Sequence, residues 1–132
     1  MPELFKLEKK EFSQVYQEKQ WTYICLFSFT FKRKIIRKIT ITDHIWRKKE
    51  REWITKELIL IILTKEINGR ERMKPQKVYD NREVFVREYI PHQNRFYRLI
   101  FWFKVNETSH LWIRNCYPID SKQFFKHKEK LP

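Results

Sequence analysis

Residues 21–31, WTYICLFSFTF, constrain this chain more than any other segment. Trp21, Tyr23, Cys25, Phe27, Phe29 and Phe31 fall at every second position, with Thr22, Ile24, Leu26, Ser28 and Thr30 between them. Side chains alternate between the two faces of a strand, so this spacing predicts a strand with one large, ring-rich face that must be covered. The basic triplet at 32–34 reads as a turn. IIRKITI at 35–41 resumes as a second strand, and the pair forms an aromatic hairpin.

Three later runs carry the same signature: EVFVREYI (83–90), RFYRLIFWFKV (95–105) and HLWIRNCYPI (110–119), with NETS at 106–109 as a hairpin loop. In 95–105, Tyr97, Leu99, Phe101, Phe103 and Val105 share one face; Phe96, Arg98, Ile100, Trp102 and Lys104 share the other. Residues 3–19 place Leu4, Leu7, Phe12, Val15 and Tyr16 among charges at a loosely helical spacing. Thr42 or Asp43 can open a short helix from His44 to about Arg51, and Thr55 caps KELILIILTKEI (56–67), which is apolar nearly all round. Asn68-Gly69 ends that helix, with the chain's only glycine at the left-handed position past its C-terminus. Residues 70–82, with Pro75, read as loop. Strands and helices are segregated, which predicts an α+β fold: one domain over 1–132, a mainly antiparallel sheet, and helices packed on one face.

A single glycine excludes phosphate-cradling and dinucleotide-binding loops that need several. Cys25 and Cys116 form no CxxC and no disulfide framework, so they read as two free thiols. The start MPELFKLEKKEF has no secretory-type apolar run, and Leu58–Leu63 is the longest apolar stretch, far short of a bilayer span. The expectation is a cytoplasmic protein with no membrane partner.

The formal net charge is +13. Between Phe31 and Arg51 nine Lys and Arg residues face only Asp43 and Glu50. Such a one-signed field attracts polyanions. His44, His92, His110 and His127 offer no pair at ligand spacing, and Asp80, Glu83 and Glu88 each lie near arginine, so neither a metal site nor any cofactor is expected. Nucleophilic serine chemistry lacks its GxSxG, and Cys116 lies late in a strand.

A metal-free ribonuclease needs less. RNA supplies its own 2′-hydroxyl nucleophile; the protein adds a base, an acid and cations for the phosphorane charge. His44 in TDHIWRKK titrates near neutral pH, and Lys48 follows one helical turn later. Arg47, Lys49 and Arg51 extend that cluster toward phosphate. On the late strands, Arg98 and Arg114 alternate with Trp102 and Trp112, a cation-and-ring surface on which unpaired bases can stack. Arg87 in the middle strand adds a further cation. Tyr117 carries a phenol able to donate to a leaving oxygen.

TDHIWRKK, a buried helix, EVFVREY, YRLIFWF and LWIRNCYPID together resemble the barnase–EndoU–colicin–RelE superfamily of small bacterial ribonuclease toxins. The resemblance runs over 39–120, leaving 1–38 as an N-terminal extension with the aromatic hairpin and 121–132 as a basic tail. It implies N-terminal helical elements before a curved antiparallel sheet, and metal-independent cleavage of RNA to a 2′,3′-cyclic phosphate. It also implies toxicity to the host cell and an acidic antitoxin or immunity protein as partner. Carried over by position, it implies catalytic roles for His44, Lys48, Arg98 and Tyr117. The competing reading is a non-catalytic nucleic-acid-binding or phage-type inhibitor protein with the same charge.

Overall fold

The computed structural model describes residues 3–47 and 54–119. Seven strands form one sheet: β1 (Phe5–Ser13), β2 (Glu18–Phe31), β3 (Lys34–Thr42), β4 (Lys77–Tyr79), β5 (Arg82–His92), β6 (Arg95–Lys104) and β7 (Glu107–Ile119), in the spatial order β1-β2-β3-β7-β6-β5-β4. Neighbours are antiparallel except at the centre, where β3 and β7 run parallel with Lys38 opposite His110 and Thr40 opposite Trp112. Between β3 and β5 the described helical structure is a turn at Asp43–Ile45 and one helix, α1 (Lys56–Ile62), that widens into a final π turn over Leu63–Ile67.

The expected α+β arrangement, with helices packed on one face of an antiparallel sheet, is therefore corrected. The protein is mostly strand, its sheet is mixed, and among the described residues a single helical segment lies against it. The physical reason sits at the N-terminus. Residues 3–19 contribute β1, not a helix, and β1 is an edge strand whose interior side chains are all exposed. With neither face buried, nothing forces a period of two on its sequence. The loop expected at 70–82 also contains β4; of the short helix expected from His44, the described part is a turn at Asp43–Ile45, and 48–51 lie outside the described residues. Thr42 makes no cap there. Asp43 instead accepts from the Lys19 backbone N–H at 3.0 Å and from Arg47 at 3.2 Å.

The hairpin of β2 and β3 forms as expected, with Trp21, Tyr23, Phe29 and Phe31 buried. Phe31 meets Phe85 and Phe101 at 5.1 and 5.3 Å between ring centroids. Ile59, Ile62, Leu63 and Ile67 of the helical segment bury into the same core. Thr55 Oγ1 accepts from the Leu58 N–H at 3.1 Å and starts the helix. Gly69, at φ +88°, ends it. Neither Cys25 nor Cys116 is in a disulfide among the described residues, and burial pushes the Cys25 thiol up to about 12, which leaves it protonated at neutral pH. The 38/39 division falls inside β3, so the N-terminal hairpin and the later strands share one sheet. Among the described residues no helix is long and apolar enough to cross a membrane.

Candidate nucleic-acid groove

The face of the sheet opposite α1 carries the polar half of each alternation. Register irregularities interrupt β1–β2, β2–β3, β5–β6 and β6–β7. Each such break sharpens the local twist. Residues of β2 and β5, with three strands between them in the sheet, line one groove of about 530 Å³, so the sheet curls around it.

Tyr16, Glu18 and His44 form one wall; Arg82, Val84, Lys104 and Val105 form the other; Trp102, Trp112 and Arg114 lie between. Trp102 and Trp112 are direct cross-strand partners. The Arg82 guanidinium stands 4.7 Å from the Trp102 ring centroid, a cation–π contact that fixes both. Ile100 opposes Asn115 and Phe101 opposes Ile113, so Arg114 is the extra residue of a bulge. Bulges re-aim a side chain in this way beside functional clefts. Among the described residues neither Arg82 nor Arg114 makes an ion pair. Glu18, 5% exposed, accepts from Gln20 Nε2 at 3.4 Å.

The site expected from sequence is only partly assembled. His44, Trp102, Trp112 and Arg114 meet in the groove. Arg98 and Tyr117 are cross-strand partners and bond to each other at 2.9 Å, with Arg98 also paired to Glu88. They lie about 13 Å along β6 from Trp102, at about 3.3 Å per residue, and do not line the groove. Arg47 is held by Asp43 beside His44. Arg87 pairs with Glu66 of the helical segment at 3.7 Å, on the opposite side of the sheet from the groove. Lys48, Lys49 and Arg51 lie outside the described residues. No group of three or more His, Cys, Asp or Glu side chains suited to a metal ion occurs among the described residues.

Sequence reasoning missed Tyr16, Glu18, Arg82 and Lys104. For Glu18 a signal existed: Glu18, Gln20 and Thr22 continue the polar side of the β2 alternation beyond Trp21. Arg82 and Tyr16 gave none, because only the curl of the sheet brings them together. Beside the groove, on the same face, a second polar feature is buried. Thr22 and Thr40 hydroxyls lie 2.8 Å apart, Thr40 Oγ1 is 2.6 Å from His110 Nε2, and His110 Nδ1 is 3.1 Å from Glu107 Oε2. Burial holds His110 below its ordinary value, with the Glu107 hydrogen bond opposing that shift. Glu107 itself is held low, chiefly by its hydrogen bond to His110.

No protein-family description, curated protein or solved structure matches this chain.

Proposed function

We propose that the protein is a metal-independent endoribonuclease that holds single-stranded RNA in the concave groove. The observation that supports this reading is one shared groove containing an imidazole (His44), two arginines that make no ion pair among the described residues (Arg82 and Arg114) and two tryptophans (Trp102 and Trp112). Bases stack on the indoles, and the guanidinium groups face the phosphate. The RNA 2′-oxygen attacks the adjacent phosphorus, the bond to the 5′-oxygen breaks, and the products are a 2′,3′-cyclic phosphate and a 5′-hydroxyl. One proton leaves the 2′-hydroxyl and one reaches the departing 5′-oxygen. Glu18 and His44, on the same wall, are the pair for those transfers: a carboxylate to accept, an imidazolium to donate. Arg82 and Arg114 stabilise the charge that grows on the phosphorane oxygens. In this reading Tyr117 and Arg98 brace the far end of β6 and β7. The cytoplasm is the compartment, and an acidic antitoxin or immunity protein is the partner that the toxin resemblance brings with it.

The test is incubation of purified protein with total RNA in EDTA, followed by mapping of cut ends. Cyclic-phosphate ends, lost in His44→Ala with an unchanged unfolding curve, are expected. Persistent cutting by that variant would reject the assigned chemistry. The second reading, binding without cleavage, is favoured by one observation: Arg98 and Tyr117 stand outside the groove, so fewer proton donors reach it than the sequence promised. Tight, salt-sensitive RNA binding with no product after long incubation would select it.

A further inference from the structure

The sheet ends on two edges of unequal length. β4 forms one with three residues, and β1 forms the other with nine. Among the described residues β1 pairs only with β2. Its alternation is broken once. Leu7 opposes Tyr23 and Lys9 opposes Thr22, so Glu8 is an extra residue. Opposed residues share a face. Phe5, Leu7, Lys10 and Phe12 therefore lie on the helix side, level with Tyr23 and with Trp21, whose ring lies 4.3 Å from the Nζ of Lys56 in α1. Lys6, Lys9 and Glu11 lie on the groove side, opposite Ile24, Thr22 and Gln20. Glu8 joins them there, 3.0 Å from the Nζ of Lys38, which stands opposite His110.

In an unbroken strand odd and even positions take opposite faces. Here the extra residue reverses that order after Glu8. The order of faces then reads the same from either end of β1, with its midpoint between Glu8 and Lys9. A second copy turned antiparallel about that midpoint sets Glu8 against Lys9, Leu7 against Lys10, Lys6 against Glu11 and Phe5 against Phe12. Both members of every pair share a face. Any other register that overlaps across the break opposes residues from different faces. The chemistry follows the same symmetry. On the groove side each lysine meets a glutamate. On the helix side the second copy's Phe12 meets Phe5, itself edge-on to Phe27 at 5.4 Å, with Leu7 as its diagonal neighbour. Leu7 and Phe12 are 47% and 54% exposed in the single chain, so the pairing covers apolar surface that the fold leaves open. Lysines on an open edge turn other strands away, and this register is the one that neutralises Lys6 and Lys9.

We propose that β1 is the docking edge for a second copy of this chain: two β1 strands pair antiparallel about a two-fold axis between Glu8 and Lys9 and join both sheets into one. The contact is isologous, so it closes at two copies and leaves β4 as the outer edge on each side. Because opposed residues share a face, the joined sheet carries both grooves on the same side. The proposal does not depend on what the groove binds.

Sedimentation velocity on the full chain, freed of nucleic acid, tests it. Salt of about 0.15 M shortens the Debye length to about 8 Å and screens the net positive charge of the two copies from each other. The parent chain is expected to show a concentration-dependent monomer–dimer equilibrium. Lys6→Glu alone and Glu11→Lys alone each place like charges opposite one another twice, and each is expected to weaken the dimer by about tenfold or more. An equimolar mixture of the two variants restores opposite signs at both places, as does the double variant Lys6→Glu/Glu11→Lys, and both are expected to dimerise like the parent. That rescue separates a lost contact from a damaged fold, since a misfolded variant is not repaired by mixing. A parent that stays monomeric at its highest soluble concentration overturns the proposal, and the edge is then free for a strand of another protein. Dimers that survive both single swaps place the interface on a different surface and also overturn it. Loss of the dimer in the single variants without rescue in the mixture rejects the register, and the proposal with it.

Discussion

Thr22, Thr40 and His110 are 2%, 1% and 4% exposed, so their hydrogen bonds have no nearby water to replace them. The geometry fits one proton arrangement: His110 donates from Nδ1 to Glu107 and accepts at Nε2 from the Thr40 hydroxyl, which accepts in turn from Thr22. Thr40→Val leaves an imidazole nitrogen and a hydroxyl without partners. Urea unfolding should show a loss of about 1–3 kcal/mol. The same residues set a pH dependence. Folding lowers the His110 value from its ordinary 6.5, so the unfolded chain binds the proton more readily. This contribution is constant above about pH 6.5 and turns against the folded state as the pH falls below that value. Thermal melts should therefore show a midpoint that drops between about pH 7 and pH 5, and the drop should be smaller in His110→Gln.

The elements differ in how plainly the sequence announced them. The β2–β3 hairpin was legible because its rings are large, alternate without a break, and end up buried on one side. The helical segment was legible from both ends: Thr55 at its start, Asn68-Gly69 at its finish. Replacing Thr55 by Ala should cost about 1 kcal/mol, read as a shift in the urea midpoint with the slope unchanged. β1 was not legible, since an edge strand with both faces in solvent carries no burial code, and its lysines suit an unpaired edge. Four members of the groove, His44, Trp102, Trp112 and Arg114, could be named from local pattern. Glu18 lay on the continued polar side of β2, but Arg82 and Tyr16 could not be named, because strand alternation fixes a face but not which distant strands the curl brings together. Arg87 shows the same limit in reverse. It sits three residues beyond Val84, which lines the groove, so alternation along β5 turns it to the other face of the sheet, where it meets Glu66.

For the whole molecule, the two sides of the sheet divide the work. One side is sealed by Ile59, Ile62, Leu63 and Ile67. The other curls into a cationic, ring-lined channel. If unpaired bases stack there, Trp102→Ala and Trp112→Ala should each weaken a short oligonucleotide by about 1–3 kcal/mol, measured at fixed salt, without changing the salt slope. The two halves of this architecture are joined by a single seam. β3 and β7 pair in parallel although His110 follows Lys38 by 72 residues. Each flanking meander is built from near neighbours in the chain and can assemble on its own schedule. The seam cannot: it must wait for the last strand to be synthesised and then close the longest loop in the protein. Closure of that loop is expected to be the slow step of folding, leaving the inner margins of both meanders open to mispairing with other chains until it happens.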